Sequence, residues 1–134
     1  MSAPIFAHMG LNCKEMAVTE AFYCTNFGFR RTRVILPGDD QIIFLKAGEF
    51  YLELFQAKGD APEPPYSNDG PQYAGFRHIS FSVDDLAATL ELIGAEVTLG
   101  PLAFDAFISG WKIAWIKDPD GRIVEISQGY MDEV

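Results

Sequence analysis

An internal repeat constrains the fold of this chain more than any other feature of its sequence. The segment "FAHMGLNCKEM" at 6–16 and the segment "FRHISFSVDDL" at 76–86 share a Phe-x-His start, an alternating apolar run and a helix-like continuation. Their apolar positions match at a constant offset of 70 residues, which also places His8 over His78, the two histidines of the chain. Self-similarity at a fixed spacing predicts two copies of one supersecondary unit.

The far ends of the two copies match as well. The segment "YLELFQ" at 51–56 corresponds to "IVEISQ" at 123–128 at an offset of 72 residues, so that Glu53 corresponds to Glu125. A net insertion of two residues in the second copy accounts for the change of offset.

The repeat therefore divides residues 1–134, a length typical of one domain, into two modules at 5–56 and 76–128. The segment between them, 57–75, contains seven glycines and prolines. This composition predicts a linker or an Ω-type loop, which could also cover a site.

Hydrophobic periodicity predicts a strand, a helix and three further strands in each module. In the first module these are a strand at 5–12, a helix at 15–26 and strands at 29–35, 41–46 and 50–56. In the second they are a strand at 77–83, a helix capped by Asp84 or Asp85, and strands near 95–98, 111–117 and 122–127. Gly28 and Gly94 are expected to end the helices, and "DPDG" at 118–121 to form a hairpin turn. The first helix is expected to bury Ala17, Val18, Ala21, Phe22 and Cys24, and the second Leu86, Leu90 and Ile93.

Strand alternation predicts where the polar side chains point. The apolar positions of the strands form one continuous face, which we expect to pack on the helix of the same module. The opposite parity, facing away from the helix into the concave side of a curved sheet, belongs to His8, Glu53, His78 and Glu125.

These four side chains form a donor set suited to one divalent cation. Two carboxylates and two neutral imidazoles balance its charge, and their nitrogen and oxygen atoms suit Zn²⁺, Ni²⁺, Co²⁺, Mn²⁺ or Fe²⁺ without distinguishing among these ions. A single His on a strand is more often a satisfied or solvated residue. The placement of the whole set at equivalent repeat positions favours a mononuclear metal site.

The charge and composition of the chain limit the kinds of binding partner that are expected. The net charge of −9 disfavours nucleic acid and anionic membranes, which leaves a small molecule as the expected substrate. No stretch approaches the roughly 20 apolar residues of a membrane span, and the N-terminus lacks a signal-peptide pattern, so a cytoplasmic location is expected. Cys13 and Cys24 have no metal-type spacing and are expected to be buried free thiols.

With these residues assigned, the chain resembles the vicinal oxygen chelate superfamily, which contains glyoxalase I, bleomycin-resistance proteins and dioxygenases. The resemblance covers 5–128 and rests on the strand after His8, on "EAFYCTNFGFR", on "FRHISFSVDDL" and on "DPDGRIVEISQ". It implies an α+β fold in which two βαβββ modules form an incomplete eight-stranded barrel around a metal. It also implies that the four metal ligands, as in bacterial glyoxalase I, are His8, Glu53, His78 and Glu125.

The resemblance implies a lyase or isomerase that transfers a proton next to a metal-chelated carbonyl, as lactoylglutathione lyase does. It favours Glu125 as the base and Glu53 as the more passive ligand, although the symmetry of the set leaves the reverse assignment open. Glyoxalase I typically carries Arg and Asn at the positions of Asn12 and Ala57. The identity of the thiol substrate is therefore open.

Other activities of the superfamily stay open as alternatives: an epimerase, a dioxygenase, or a resistance-type protein that sequesters a small molecule. The glutamate at position 53 argues against extradiol dioxygenases, which use a two-His, one-Glu iron site, and against methylmalonyl-CoA epimerases, which usually carry Gln there. Retention of all four ligands argues against metal-free binding proteins.

Three further sets of residues are expected to serve packing or solvation, and for two of these sets a role in substrate binding is the alternative. Barrel packing or the wall of a pocket is expected for Phe6, Tyr51, Phe55 and Phe76. A solvated strand or a clamp for a substrate carboxylate is expected for Arg30, Arg31 and Arg33. Packing is expected for Trp111 and Trp115. Because open barrel halves leave apolar edges, a homodimer is expected, with the site either within one chain or between exchanged modules.

Overall fold

The fold is seen in a computed structural model that describes residues 2–61 and 74–134. Most of the predicted linker at 57–75 lies outside the described residues. The chain divides into two compact units, 1–62 and 63–134. Among the described residues, no helix is long and apolar enough to cross a membrane.

The first unit is a four-stranded mixed sheet with one helix. Its elements are β1 (Met9–Cys13), α1 (Met16–Phe27), β2 (Arg30–Ile35), β3 (Ile42–Ala47) and β4 (Phe50–Gln56). The strand order is β1-β4-β3-β2, with β1 parallel to β4 and the other neighbours antiparallel.

The second unit has the same architecture. Its elements are β5 (Ile79–Ser82), α2 (Leu86–Ile93), β6 (Leu99–Ala103), β7 (Lys112–Lys117) and β8 (Ile123–Gln128). The order β5-β8-β7-β6 repeats that of the first sheet, including the parallel pair β5 and β8. The predicted α+β class and the two βαβββ modules are confirmed, and each sheet is open rather than closed on itself.

Equivalent glutamines tie each helix to its sheet. Gln56, the last residue of β4, accepts a hydrogen bond from the backbone N–H of Met16 at 3.0 Å. Gln128, the last residue of β8, accepts one from the N–H of Leu86 at 2.8 Å. The first N–H groups of a helix have no partner within the helix, so these bonds fix both helices at the same point of the repeat.

The core follows the predicted alternation of the strands. Leu52 and Leu54 are fully buried in β4, as are Val124 and Ile126 in β8. Glu53 and Glu125, which alternate with these residues, therefore lie on the other face of each sheet, away from the buried side chains.

The predicted buried face of α1 is wrong. The structure buries Met16, Thr19 and Tyr23, whereas Val18 is 46% exposed. Of the residues predicted to be buried, Ala17, Val18 and Ala21 are exposed, and Phe22 and Cys24 are half-buried. The face that packs instead uses Tyr23, whose large ring fills the space beside Phe29, with ring centroids 6.0 Å apart.

The other corrections concern strand bounds and thiols. Residues 5–8 precede β1, and the strand predicted at 95–98 is found at Leu99–Ala103. That segment contains Pro101, which lacks an N–H, yet the sheet tolerates it because β6 is an outer strand with an irregular register between Leu99 and Leu102. Both cysteines are free; Cys13 is buried as predicted, but Cys24 is half-buried.

Asp85, rather than Asp84, caps α2. Its side chain accepts a hydrogen bond from the N–H of Ala88 at 3.0 Å. We expect Asp85→Ala to lower the free energy of unfolding by about 1 kcal/mol, the usual value of an N-cap. Asp84→Ala is the matched control and should have little effect in the same urea-unfolding experiment. Equal destabilisation by the two variants would contradict the cap assignment.

Candidate functional site

The first unit brings His8 and Glu53 together. His8 lies one residue before β1, and parallel pairing with β4 sets Gly10 opposite Glu53. Across the sheet, His8 Nε2 lies 3.1 Å from Glu53 Oε1. The His8 side chain is 40% exposed and that of Glu53 18%, so the pair is accessible from one side.

The second unit brings His78 and Glu125 together by the same parallel pairing of two strands. His78 lies one residue before β5, and Ser80 pairs with Glu125 in the parallel ladder. His78 Nε2 lies 3.7 Å from Glu125 Oε1, close but beyond hydrogen-bond length.

Two side chains hold the Glu125 carboxylate. The Ser80 hydroxyl donates to Oε2 at 2.8 Å, and the Trp115 indole N–H donates to Oε1 at 3.1 Å. The Trp115 ring in turn lies under the Arg77 guanidinium, whose Cζ is 4.9 Å from the ring centroid. The His78 ring is also close, with centroids 5.5 Å apart.

The corresponding neighbours of Glu53 are apolar. In the ladders it faces Gly10 on β1 and Phe44 on β3. Phe44 contacts the His8 ring edge-on, with centroids 5.5 Å apart. A β-carbon at position 10 would lie 3.9 Å from Glu53 Oε1, an ordinary van der Waals contact.

The donor atoms fit a divalent cation. Within residues 2–61 and 74–134, no group of three or more His, Cys, Asp or Glu side chains is arranged to hold a metal ion. Each unit supplies one imidazole Nε2 beside one carboxylate. His78 Nδ1 is buried and has no hydrogen-bond partner in the described part of the chain. This nitrogen is not the one that lies beside Glu125, so the fit of the pair to a cation rests on Nε2 and the carboxylate.

The other predicted site residues lie in varied surroundings. Phe6 and Phe76 are largely exposed, at 67% and 92%, and Tyr51 and Phe55 are half-buried. Phe6 stacks on Phe50 with ring centroids 5.9 Å apart, which is a packing contact within the first unit.

Of the three arginines of β2, Arg31 is engaged by an acidic side chain. Its guanidinium donates to both oxygens of Glu20 at 2.7 and 2.6 Å, and this bidentate bond raises the pKa of Arg31. Arg30 and Arg33 are exposed. The solvated-strand reading fits these two residues.

Sequence reasoning missed the roles of Ser80 and Trp115. Trp115 packs as predicted, at 4% exposure, but its N–H also reaches Glu125. Ser80 could have been found from the sequence, because it has the same strand parity as His78 and therefore points to the same face. Trp115 could not, because its contact with Glu125 depends on the register of β7 against β8.

Comparison with known proteins places these features in a family. The sequence model of the Glyoxalase/Bleomycin resistance protein/Dioxygenase superfamily matches residues 5–126. The chain is 31% identical over 127 residues to the uncharacterized protein YaeR of Escherichia coli strain K12, covering 89% of this chain and 92% of the relative. It is 39% identical over 83 residues to the lactoylglutathione lyase of Pseudomonas aeruginosa, covering 60% of this chain and 46% of that enzyme.

A solved structure agrees with both comparisons. The crystal structure of lactoylglutathione lyase from Agrobacterium tumefaciens superposes with a TM-score of 0.61 at 25% identity, covering 96% of each chain. The matched range contains both His/Glu pairs. The chain belongs to the Glyoxalase/Bleomycin resistance protein/Dioxygenase superfamily.

Proposed function

We propose that this protein is a divalent-metal-dependent lyase or isomerase of the glyoxalase type, which transfers a proton next to a carbonyl of a small substrate. The observation that carries the proposal is that each unit sets an imidazole beside a carboxylate at equivalent points of its sheet. The likeness to two lactoylglutathione lyases supports the reaction class.

The proposed ligands of one cation are His8, Glu53, His78 and Glu125. Their nitrogen and oxygen donors admit Zn²⁺, Ni²⁺, Co²⁺, Mn²⁺ or Fe²⁺. When bound, such an ion polarises the substrate carbonyl and makes the neighbouring C–H more acidic.

The chain itself supplies the proton transfer. A glutamate carboxylate accepts the proton from one carbon and returns it to the adjacent one, so the substrate is isomerised without any net loss of atoms. Glu53 and Glu125 are the two candidates for this role, and the family resemblance favours Glu125. Half-buried Tyr51 and Phe55, on β4 beside Glu53, would give the substrate an apolar wall.

Two measurements test the proposal. Elemental analysis of the purified protein should find close to one divalent transition-metal ion per proposed site. Hemithioacetals prepared from one aldehyde and several thiols should then be isomerised by the metal-loaded protein. Because Asn12 and Ala57 replace the Arg and Asn typical of glyoxalase I, we expect thiols other than glutathione to give comparable or faster rates.

Two results would count against the proposed function. Failure to take up any of the five ions would contradict the metal site. Turnover of an aromatic diol that requires both Fe²⁺ and O₂, with no hemithioacetal isomerisation, would favour the dioxygenase alternative instead.

We also propose that the protein forms a homodimer. Each sheet ends in outer strands, β1 and β2 in the first unit and β5 and β6 in the second, and such strands favour pairing or coverage by another chain. Sedimentation velocity should show a dimer at micromolar concentration, and a monomer across that range would contradict this proposal.

A further inference from the structure

The two glutamates of the proposed site differ in how firmly the protein holds them. Glu125 has a donor on each carboxylate oxygen: Ser80 on Oε2 and Trp115 on Oε1. Rotation of this carboxylate breaks both bonds, and bonds to an ionised group are stronger than those between neutral groups.

The Trp115 donor cannot easily follow such a rotation. Its ring is buried at 4% exposure, with the Arg77 guanidinium over one face at 4.9 Å from the centroid. Its backbone is paired with Glu125 in the ladder between β7 and β8. The indole N–H is therefore held in place on three counts: burial, the cation–π contact and strand register.

Glu53 has no such restraint. Phe44 and Gly10 occupy the ladder positions that Trp115 and Ser80 occupy around Glu125. The Phe44 side chain has no hydrogen-bond donor, and Gly10 has no side chain. Among the described residues, the polar contact of the Glu53 carboxylate is with His8 Nε2 at 3.1 Å.

We infer that Trp115 and Ser80 are positioning residues that hold Glu125 in a single orientation, which leaves Glu53 as the glutamate free to change orientation. This inference rests on the proposed function. It assigns the fixed-ligand role to Glu125 and the mobile role to Glu53, the reverse of the assignment that the family resemblance favours.

The physical consequence lies in cation affinity. Hydrogen-bond partners that orient a ligating side chain typically contribute about tenfold to a hundredfold to the affinity of the metal. Removing a donor from Glu125 should therefore weaken cation binding, even though neither donor is itself a proposed ligand.

The test is a titration of the metal-depleted, full-length protein with Co²⁺, followed by its visible absorption spectrum. We expect Ser80→Ala and Trp115→Phe each to weaken Co²⁺ binding by about tenfold and to alter the spectrum. Ser80→Thr retains the hydroxyl and should restore the affinity, a result that a purely structural role of Ser80 would not produce.

Matched controls exist in the same unit. Trp111 also donates its N–H, but to Ser127 Oγ at 3.2 Å, and Ser82 lies two residues beyond Ser80 on β5. Trp111→Phe and Ser82→Ala should bind Co²⁺ with the affinity of the wild type. Because the Ser80 side chain is exposed, Ser80→Ala should fold even if Trp115→Phe does not.

Unchanged affinity and an unchanged spectrum in Ser80→Ala would overturn the inference while leaving the metal site intact. The absence of Co²⁺ binding by the wild type would overturn the proposed function, and the inference with it.

Discussion

Glu53→Gln should lower the rate of hemithioacetal isomerisation by about a hundredfold to ten-thousandfold, the usual contribution of a general base. The amide keeps the shape of the side chain but cannot accept the proton. Co²⁺ affinity should fall far less than the rate, because the fixed donors around Glu125 are untouched. Steady-state kinetics on the metal-saturated variant, together with a Co²⁺ titration, measure the two effects separately.

Glu49→Gln is the matched control for this variant, since Glu49 is an exposed glutamate in the turn between β3 and β4. It should retain the activity of the wild type. Glu125→Gln should instead weaken Co²⁺ binding more than Glu53→Gln does. Full metal affinity with lost turnover in Glu125→Gln, and retained turnover in Glu53→Gln, would restore the roles favoured by the resemblance. Activity in both single variants would contradict the assignment of proton transfer to one glutamate alone.

The second large effect is expected from the histidines. His8→Ala and His78→Ala should each lower Co²⁺ affinity by more than about a hundredfold, because each removes a proposed ligand rather than a residue that orients one. Turnover at limiting metal should be lost in parallel. Both effects are measured by titration and by rate as a function of metal concentration.

The small number of histidines provides an independent check. The chain contains only His8 and His78, so modification by diethyl pyrocarbonate reports on these two side chains directly. Bound Co²⁺ should slow the modification of both. If only one histidine is protected, the two pairs do not share the ion in the proposed way.

The fold was predictable from sequence wherever the repeat and the strand period agreed. The alternation of Leu52 and Leu54 about Glu53 needs no tertiary information, because a strand that is buried on one face must show period two. The helix ends at Gly28 and Gly94 were also predictable from local sequence. Each glycine has a positive φ, 70° and 68°, a conformation that glycine adopts readily at the end of a helix.

Prediction failed where burial depended on a partner in another element. The face of α1 is decided by which side chains fit against β1, β3 and β4, and there Thr19 and Tyr23 are selected over Val18. The segment at Leu99–Ala103 contains Gly100 and Pro101, which disfavour a strand locally. Hydrogen bonding to β7 nevertheless makes this segment a strand, because pairing with a neighbour outweighs the low strand propensity of these two residues.

The sequence by itself determined that two equivalent modules each carry one histidine and one glutamate on the polar face of a sheet. It determined this because repeats and alternation are properties of the chain. Only the tertiary structure decided that the two glutamates differ. Strand register sets Trp115 and Ser80 beside Glu125 but Phe44 and Gly10 beside Glu53, and register is fixed by the packing of whole sheets rather than by any single residue.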